Sequence, residues 1–160
     1  MKQVTDELRV GTKDFEVLTR QLIERGTQIR FRAYGNSMYP AIAHGEFVTV
    51  APLKEMDDIA IGDIVLGSIN GKLIAHRIMN IKKSGEQCVL FIKGDSISHV
   101  DEIRWEEVIG KVIEVERGNK HINLNTNINR LKNVLLVKLS TIGSWLYPGI
   151  RRLKKRLKLP

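Results

Sequence analysis

One stretch decides the fold of this chain: Ile64-Val65-Leu66-Gly67-Ser68-Ile69-Asn70-Gly71-Lys72-Leu73-Ile74-Ala75-His76-Arg77-Ile78. Asn-Gly is the dipeptide most typical of a tight β-hairpin turn, because both of its residues tolerate positive φ. The residues on either side form two short runs rich in Val, Ile and Leu, as expected of strands. We therefore predict an antiparallel hairpin, with His76 on its second strand.

The same pattern of short apolar runs and turns continues on both sides of this hairpin. Glycine-containing turns are predicted at Ser84-Gly85 and Gly118-Asn119. The predicted strands cover residues 28–33, 46–50, 64–66, 72–78, 89–92, 110–115 and 121–124. Many short strands at close spacing are typical of an antiparallel barrel or sandwich. We predict a mainly β fold, a compact antiparallel β-barrel or sandwich.

Helical patterns flank the predicted β core. Apolar residues recur at helical spacing from Asp14 to Glu24, and Gly26 is a natural stop. A second helical stripe lies beyond Asn127. We therefore divide the chain into an N-terminal helical segment (1–26), a β-rich core (27–126) and an amphipathic helical tail (127–160).

Charge separates the tail from the rest of the chain. Residues 128–160 contain nine Lys or Arg and no Asp or Glu, whereas all 18 acidic residues precede them. A basic amphipathic segment is typical of a helix on an anionic membrane surface. A helix that packs on the core is the alternative, and we do not expect nucleic acid to be the partner. Residues 1–10 are too polar for a secretion signal, so we predict a cytoplasmic location, with peripheral membrane contact through the tail.

The single cysteine excludes an internal disulfide. Cys88 lies in an apolar run, and we expect it to be packed in the core. Hydrophobic residues make up 42% of the chain, which is enough to build such a core and too many for a disordered protein.

The candidate chemistry begins at Gly35-Asn36-Ser37-Met38-Tyr39-Pro40. Glycine permits unusual backbone angles and proline restrains the chain, so this stretch would hold Ser37 on a rigid bend. A serine hydroxyl needs a neighbouring base and a group that orients the base. His76 is the candidate base, and Asp95 and Asp101 are the candidate acids.

Four segments in this order resemble the conserved boxes of the type I signal peptidases and their LexA-like relatives. The serine box is Gly35–Pro40 followed by Gly45-Glu46-Phe47-Val48. The other three are Gly62-Asp63-Ile64-Val65, Ala75-His76-Arg77-Ile78 and Lys93-Gly94-Asp95 through Asp101. Histidine in the third box resembles the Ser–His branch, the archaeal and endoplasmic-reticulum signal peptidases, rather than the bacterial enzymes with lysine.

This resemblance implies the role of each site residue. Ser37 matches the acylating serine, His76 the base and Asp101 the acid that orients it. Asp95 matches a supporting aspartate, and the Ser37 N–H belongs to the oxyanion hole, beside Gly35 and Asn36. We expect Met38 and Pro40 to line the substrate groove. The implied function is serine endopeptidase activity on an extended leader or signal-like peptide, without cofactor or metal.

The chain departs from the family pattern in two ways. A polar helix, not the usual membrane anchor, precedes the serine box, and Glu46 replaces an aspartate. The sequence leaves two alternative functions open. A non-catalytic scaffold would bind membrane or nucleic acid through the tail. A self-cleaving LexA-like regulator would need a scissile dipeptide, typically Ala-Gly, and the sequence has none.

Overall fold

The computed structural model describes residues 12–85, 87–126, 134, 135 and 137. The described residues between 12 and 126 contain one α-helix and eight strands, and the strands pair in a single antiparallel sheet. The predicted fold class, mainly antiparallel β with an N-terminal helix, is confirmed. All but three residues of the predicted tail (127–160) lie outside the described part of the chain.

Along the chain, strands alternate with turns and loops. Two single-turn 3₁₀ helices, Met56–Asp58 and Trp105–Glu107, interrupt it. The main elements are α1 (Thr12–Glu24), β1 (Ile29–Arg32), β2 (Phe47–Ala51), β3 (Ile64–Ile69), β4 (Lys72–Ser84), β5 (Gln87–Lys93), β6 (Val100–Arg104), β7 (Val108–Arg117) and β8 (Lys120–Asn123).

The strand order in the sheet is β1-β2-β7-β3-β4-β5-β6, and β8 pairs with β7 beside this path. The predicted hairpin joins β3 to β4, where Asn70 and Gly71 have φ of 51° and 72°. Strand β4 is longer than predicted and continues to Ser84. Its first half pairs with β3 and its second half with β5, and the register with β5 shifts between Ile78 and Asn80.

Two hydrophobic clusters form the core. Successive residues of β3 belong to different clusters, because adjacent side chains of a strand point to opposite faces of the sheet. Ile64 and Leu66 belong to the first cluster and Val65 to the second. The sheet therefore buries apolar residues on both faces. The second cluster includes Cys88, which is 2% exposed, as the sequence predicts.

Helix α1 covers part of the first cluster. It begins at Thr12, two residues before the predicted start, and the chain reverses at Gly26, whose φ is +80°. Ile23 is buried in the cluster, and Phe15 makes an edge-to-face contact with Phe31 of β1. The helix also contacts β4 and β7.

Candidate active site

The loop between β1 and β2 carries Ser37. Gly35 has a φ of +103°, which favours glycine, and its N–H donates to Nδ1 of His44 at 3.2 Å. The Tyr39 N–H donates to the Asn36 carbonyl at 3.1 Å, so the chain turns tightly around the serine. The loop is therefore built by backbone hydrogen bonds, as expected from its Gly, Asn and Pro content.

The structure brings Ser37, His76 and Asp101 together. Nε2 of His76 lies 3.3 Å from the Ser37 Oγ, and Nδ1 lies 3.3 Å from Oδ2 of Asp101. Register explains this meeting, because Ile78, Ile92 and Asp101 are aligned across β4, β5 and β6. His76 lies two residues before Ile78, so its side chain projects from the same face as Asp101.

His76 is almost completely buried. Burial lowers its pKa below the usual 6.5, and the charges of Asp101 and Asp95 oppose that effect without reversing it. The Nδ1 atom is within ion-pair distance of Asp101, yet no aligned hydrogen bond to it is formed. Such contacts are often long in the absence of substrate and shorten when it binds. Because its pKa is lowered, His76 is present mainly as a neutral imidazole at neutral pH.

The loop between β5 and β6 fixes the Ser37 loop from the other side. The Ser96 N–H donates to the Ser37 carbonyl at 2.9 Å, and the Ser96 Oγ donates to the Asn36 carbonyl at 2.6 Å. Gly94 lies so close to Ser37 that a β-carbon there would be 2.6 Å from the Ser37 carbonyl oxygen. The glycine of the Gly94-Asp95 pair is therefore required by close backbone approach.

Asp95 lies beside the site as a support. Its two carboxylate oxygens accept from Nε and Nη2 of Arg77, each at 2.7 Å. Nη1 of Arg77 donates to the Gly62 carbonyl at 2.8 Å, and Arg77 is only 1% exposed. One buried guanidinium therefore connects three of the four sequence boxes.

Glu46 holds the far end of the serine loop. Its carboxylate accepts from Nε of Arg117 at 2.5 Å and from the Ala43 N–H at 2.8 Å. Nη2 of the same arginine donates to the Pro40 carbonyl at 2.9 Å. The glutamate that departs from the family pattern therefore has a defined role in tying this loop to β7.

The remaining predicted site residues have different surroundings. Met38 is buried and lines a cavity beside Ser37, whereas Pro40 is exposed and does not line it. Asn36 contributes its carbonyl oxygen to the contacts above, and its side chain is exposed. In the described part of the chain, the Ser37 N–H has no hydrogen-bond partner. Lys72 is exposed at the start of β4, four residues from His76.

Sequence reasoning missed several residues of this site. The sequence patterns assign no role to Arg77, Ser96, His99 or Arg117. Arg77 had a signal, because an arginine within an apolar strand must find a buried partner. The contacts of Arg117 join residues more than 70 positions apart, and no spacing in the sequence indicates them.

A cluster of possible metal ligands lies elsewhere on the sheet. Among the described residues, donor atoms of Glu114, Glu116 and His121 all lie within 4.8 Å of one another. Arg30 already forms two hydrogen bonds with Glu116, at 2.5 and 2.6 Å, and His121 lies 3.1 Å from Glu114. These contacts account for the cluster as a surface charge network.

The chain also matches a protein family. The family model described as Peptidase S24-like matches residues 3–113. The chain belongs to the Peptidase S24-like family. The match spans α1 and all four boxes, and it extends into β7. The resemblance to the LexA-like and signal peptidase superfamily is thus confirmed at the level of the family.

Membership of the Peptidase S24-like family indicates a serine peptidase type of protein with a LexA-like fold. No curated protein gives a significant match to the chain. Within the ranges that the structure describes, no helix has both the length and the apolar character needed to cross a bilayer.

Proposed function

We propose that this protein is a serine endopeptidase in which Ser37 is the nucleophile, His76 the general base and Asp101 the group that orients His76. The observation that carries the proposal is the pair of 3.3 Å distances on the two ring nitrogens of His76, one to Ser37 and one to Asp101. This order of alcohol, imidazole and carboxylate is what a weak nucleophile needs for activation.

The proposed reaction has two halves. Nε2 of neutral His76 takes the proton from the Ser37 Oγ as the oxygen attacks the peptide carbonyl carbon. The imidazolium then gives this proton to the leaving amine, and an acyl-enzyme remains. In the second half, His76 removes a proton from water, the hydroxide displaces the Ser37 oxygen, and Ser37 recovers its proton. The unpaired Ser37 N–H is the donor we assign to the oxyanion.

A histidine base is favoured over a lysine base. Lys72 lies on the same strand as His76, and the two α-carbons are about 13 Å apart at roughly 3.3 Å per residue. Its side chain is exposed, whereas the ring of His76 is buried and directed at Ser37. Buried surroundings also keep the imidazole neutral and therefore basic. We therefore propose the Ser–His form of the chemistry.

The substrate is proposed to be an extended peptide with a small apolar residue before the scissile bond. A cavity of about 130 Å³ lies beside Ser37. Its other lining residues come from the loop after β1 and from β4: Ala33, Tyr34, Gly35, Met38, Ile42, Leu73, Ile74 and Ala75. An extended strand between these two segments would place one side chain in the cavity. A leader or signal-like peptide has this character.

The test is cleavage of a complex peptide library, followed by mass spectrometry of the new termini. Wild-type protein should produce new termini with a small apolar residue before the cut, and Ser37→Ala should produce none. Ser84→Ala is the matched control, because Ser84 is exposed at the far end of β4. Cleavage that persists in Ser37→Ala would show that Ser37 is not the nucleophile. The intact mass of the stored protein shows whether it cuts itself.

The basic segment is proposed to bring the peptidase to an anionic membrane surface. Nine cations without an acidic residue in 128–160 would be attracted to anionic lipid, at about 1 kcal/mol for each cation near the surface. Vesicles that contain phosphatidylglycerol should sediment the full chain, and deletion of residues 151–160 should weaken this binding. Equal binding to neutral vesicles would contradict the electrostatic attraction. Binding to nucleic acid instead would favour the scaffold alternative.

A further inference from the structure

Asp101 contacts two imidazoles through two different oxygens. Oδ2 lies 3.3 Å from Nδ1 of His76, and Oδ1 lies 3.2 Å from Nε2 of His99. The two rings differ in their surroundings, because the side chain of His76 is 8% exposed and that of His99 is 79% exposed. One partly buried carboxylate therefore connects a buried imidazole to a solvated one.

We propose that His99 is a positioning residue that shares the Asp101 carboxylate with His76 and, when it carries a proton, keeps His76 in the neutral form that acts as base. The proposal rests on the proposed roles of His76 and Asp101. It adds a residue that the resemblance did not assign.

The physical argument is competition for one negative charge. A neutral His99 leaves the charge of Asp101 free to stabilise the imidazolium form of His76. A protonated His99 forms an ion pair with Oδ1 and repels a second positive charge on His76. Water solvates a cation on His99 but not one on His76, since only His99 is exposed. The exposed imidazole can therefore take up charge while the buried one remains neutral.

The charged groups around His76 are few. In the part of the chain described, Asp101 on β6 and Asp95 on the preceding loop favour its protonation, and His99 on that loop opposes it. Asp95 forms its two short hydrogen bonds with Arg77. Of these groups, His99 is the exposed one, so its charge can be changed by substitution without opening the buried site.

The test is an NMR titration of the His76 imidazole in full-length protein, with a pH–rate profile beside it. His99→Gln removes the charge, and the midpoint of the His76 titration should move to higher pH. His99→Lys makes the charge permanent, and the midpoint should move to lower pH. The acidic limb of the rate profile should move in the same directions, by about half a pH unit.

His121→Gln is the matched control. It removes another exposed histidine that also lies beside a carboxylate, that of Glu114, and it should leave the His76 midpoint in place. Unchanged midpoints in both His99 variants, or shifts of the same sign, would overturn the proposal. Because His99 is exposed, thermal unfolding should show that both variants are folded.

Asp101→Asn tests whether the carboxylate carries the effect. In that background, His99→Gln should shift His76 less, because an uncharged amide no longer anchors a protonated His99. If His99→Gln shifts the His76 midpoint as much in the Asp101→Asn background as in wild-type protein, the two histidines do not act through a shared Asp101. The titration needs no catalysis and is repeated in Ser37→Ala. If the expected shifts of the His76 midpoint do not occur, the proposed role of His99 is wrong and the proposed function is unaffected. If Ser37→Ala still cleaves peptides, the proposed function is wrong and the titration result for His99 is unaffected.

Discussion

Gly94 packs against the backbone of Ser37. A β-carbon placed on Gly94 would lie 2.6 Å from the Ser37 carbonyl oxygen and 3.0 Å from the Ser37 β-carbon. Two loops that are far apart in the chain therefore approach each other as closely as backbone atoms allow. The position of the nucleophile depends on this approach, because Ser96 donates to the same carbonyl at 2.9 Å.

Gly94→Ala should move the Ser37 loop away from His76. A displacement of the reacting atoms by 1 Å can lower the rate by about 10²-fold, and we expect a loss of kcat of about this size. The added methyl group should also lower the free energy of unfolding by about 1–3 kcal/mol. Rate measurements on folded protein and urea denaturation check the two effects.

Gly110→Ala is the matched control for this variant. A β-carbon on Gly110 would lie 2.6 Å from the Ala51 carbonyl oxygen, so the crowding is equal but lies between β7 and β2. It should destabilise the protein to a similar extent and leave kcat of the folded fraction near the wild-type value. Equal losses of kcat in both variants would show that Gly94 has only a general structural role.

The rate of cleavage should fall in acid, with a midpoint below pH 6.5. Burial lowers the pKa of His76 from 6.5, and only the neutral imidazole can remove the Ser37 proton. A profile of kcat/KM between pH 4 and 9 measures this midpoint. Activity that appears only above about pH 8 would indicate a lysine base instead.

The same burial predicts how stability changes with pH. The folded state holds His76 with a lowered pKa, so the unfolded state binds more protons between that pKa and 6.5. Stability should therefore be highest above pH 6.5 and should fall as the pH drops from 6.5 to the lowered pKa, below which this contribution no longer changes. Urea denaturation at several pH values measures the effect, and His76→Gln should reduce it. If the pH dependence of stability is unchanged in His76→Gln, it arises from other titratable groups.

Asp95→Asn should strongly destabilise the protein. Arg77 is 1% exposed, and the variant would leave its guanidinium without the charge that balances it. Breaking a buried ion pair in this way costs about 3–5 kcal/mol. Asp57→Asn is the control, because Asp57 and Lys83 form an exposed pair, and its loss should have no measurable effect on unfolding. Similar effects of the two variants would contradict a special role for the buried pair.

Ala75→Leu should fill the cavity beside Ser37. The larger side chain would occupy the space that we assign to the substrate, and kcat/KM should fall by about tenfold or more. The loss should be smaller for peptides with glycine before the scissile bond. Ala60→Leu, at an exposed position outside the cavity lining, should leave kcat/KM unchanged. An unchanged preference in Ala75→Leu would show that the cavity does not bind that residue.

The sequence by itself determined the elements and the box residues. Asn70-Gly71 specified a hairpin because its backbone angles are local, and alternating apolar residues predicted the strands around it. Tertiary structure decided the contacts. Arg77 joins Gly62 to Asp95, Arg117 holds the serine loop, and Asp101 lies beside the imidazole of His76 because strand register brings residues together that are distant in the chain. Local sequence patterns do not indicate these contacts, because the contacts follow from packing between strands that are distant in the chain.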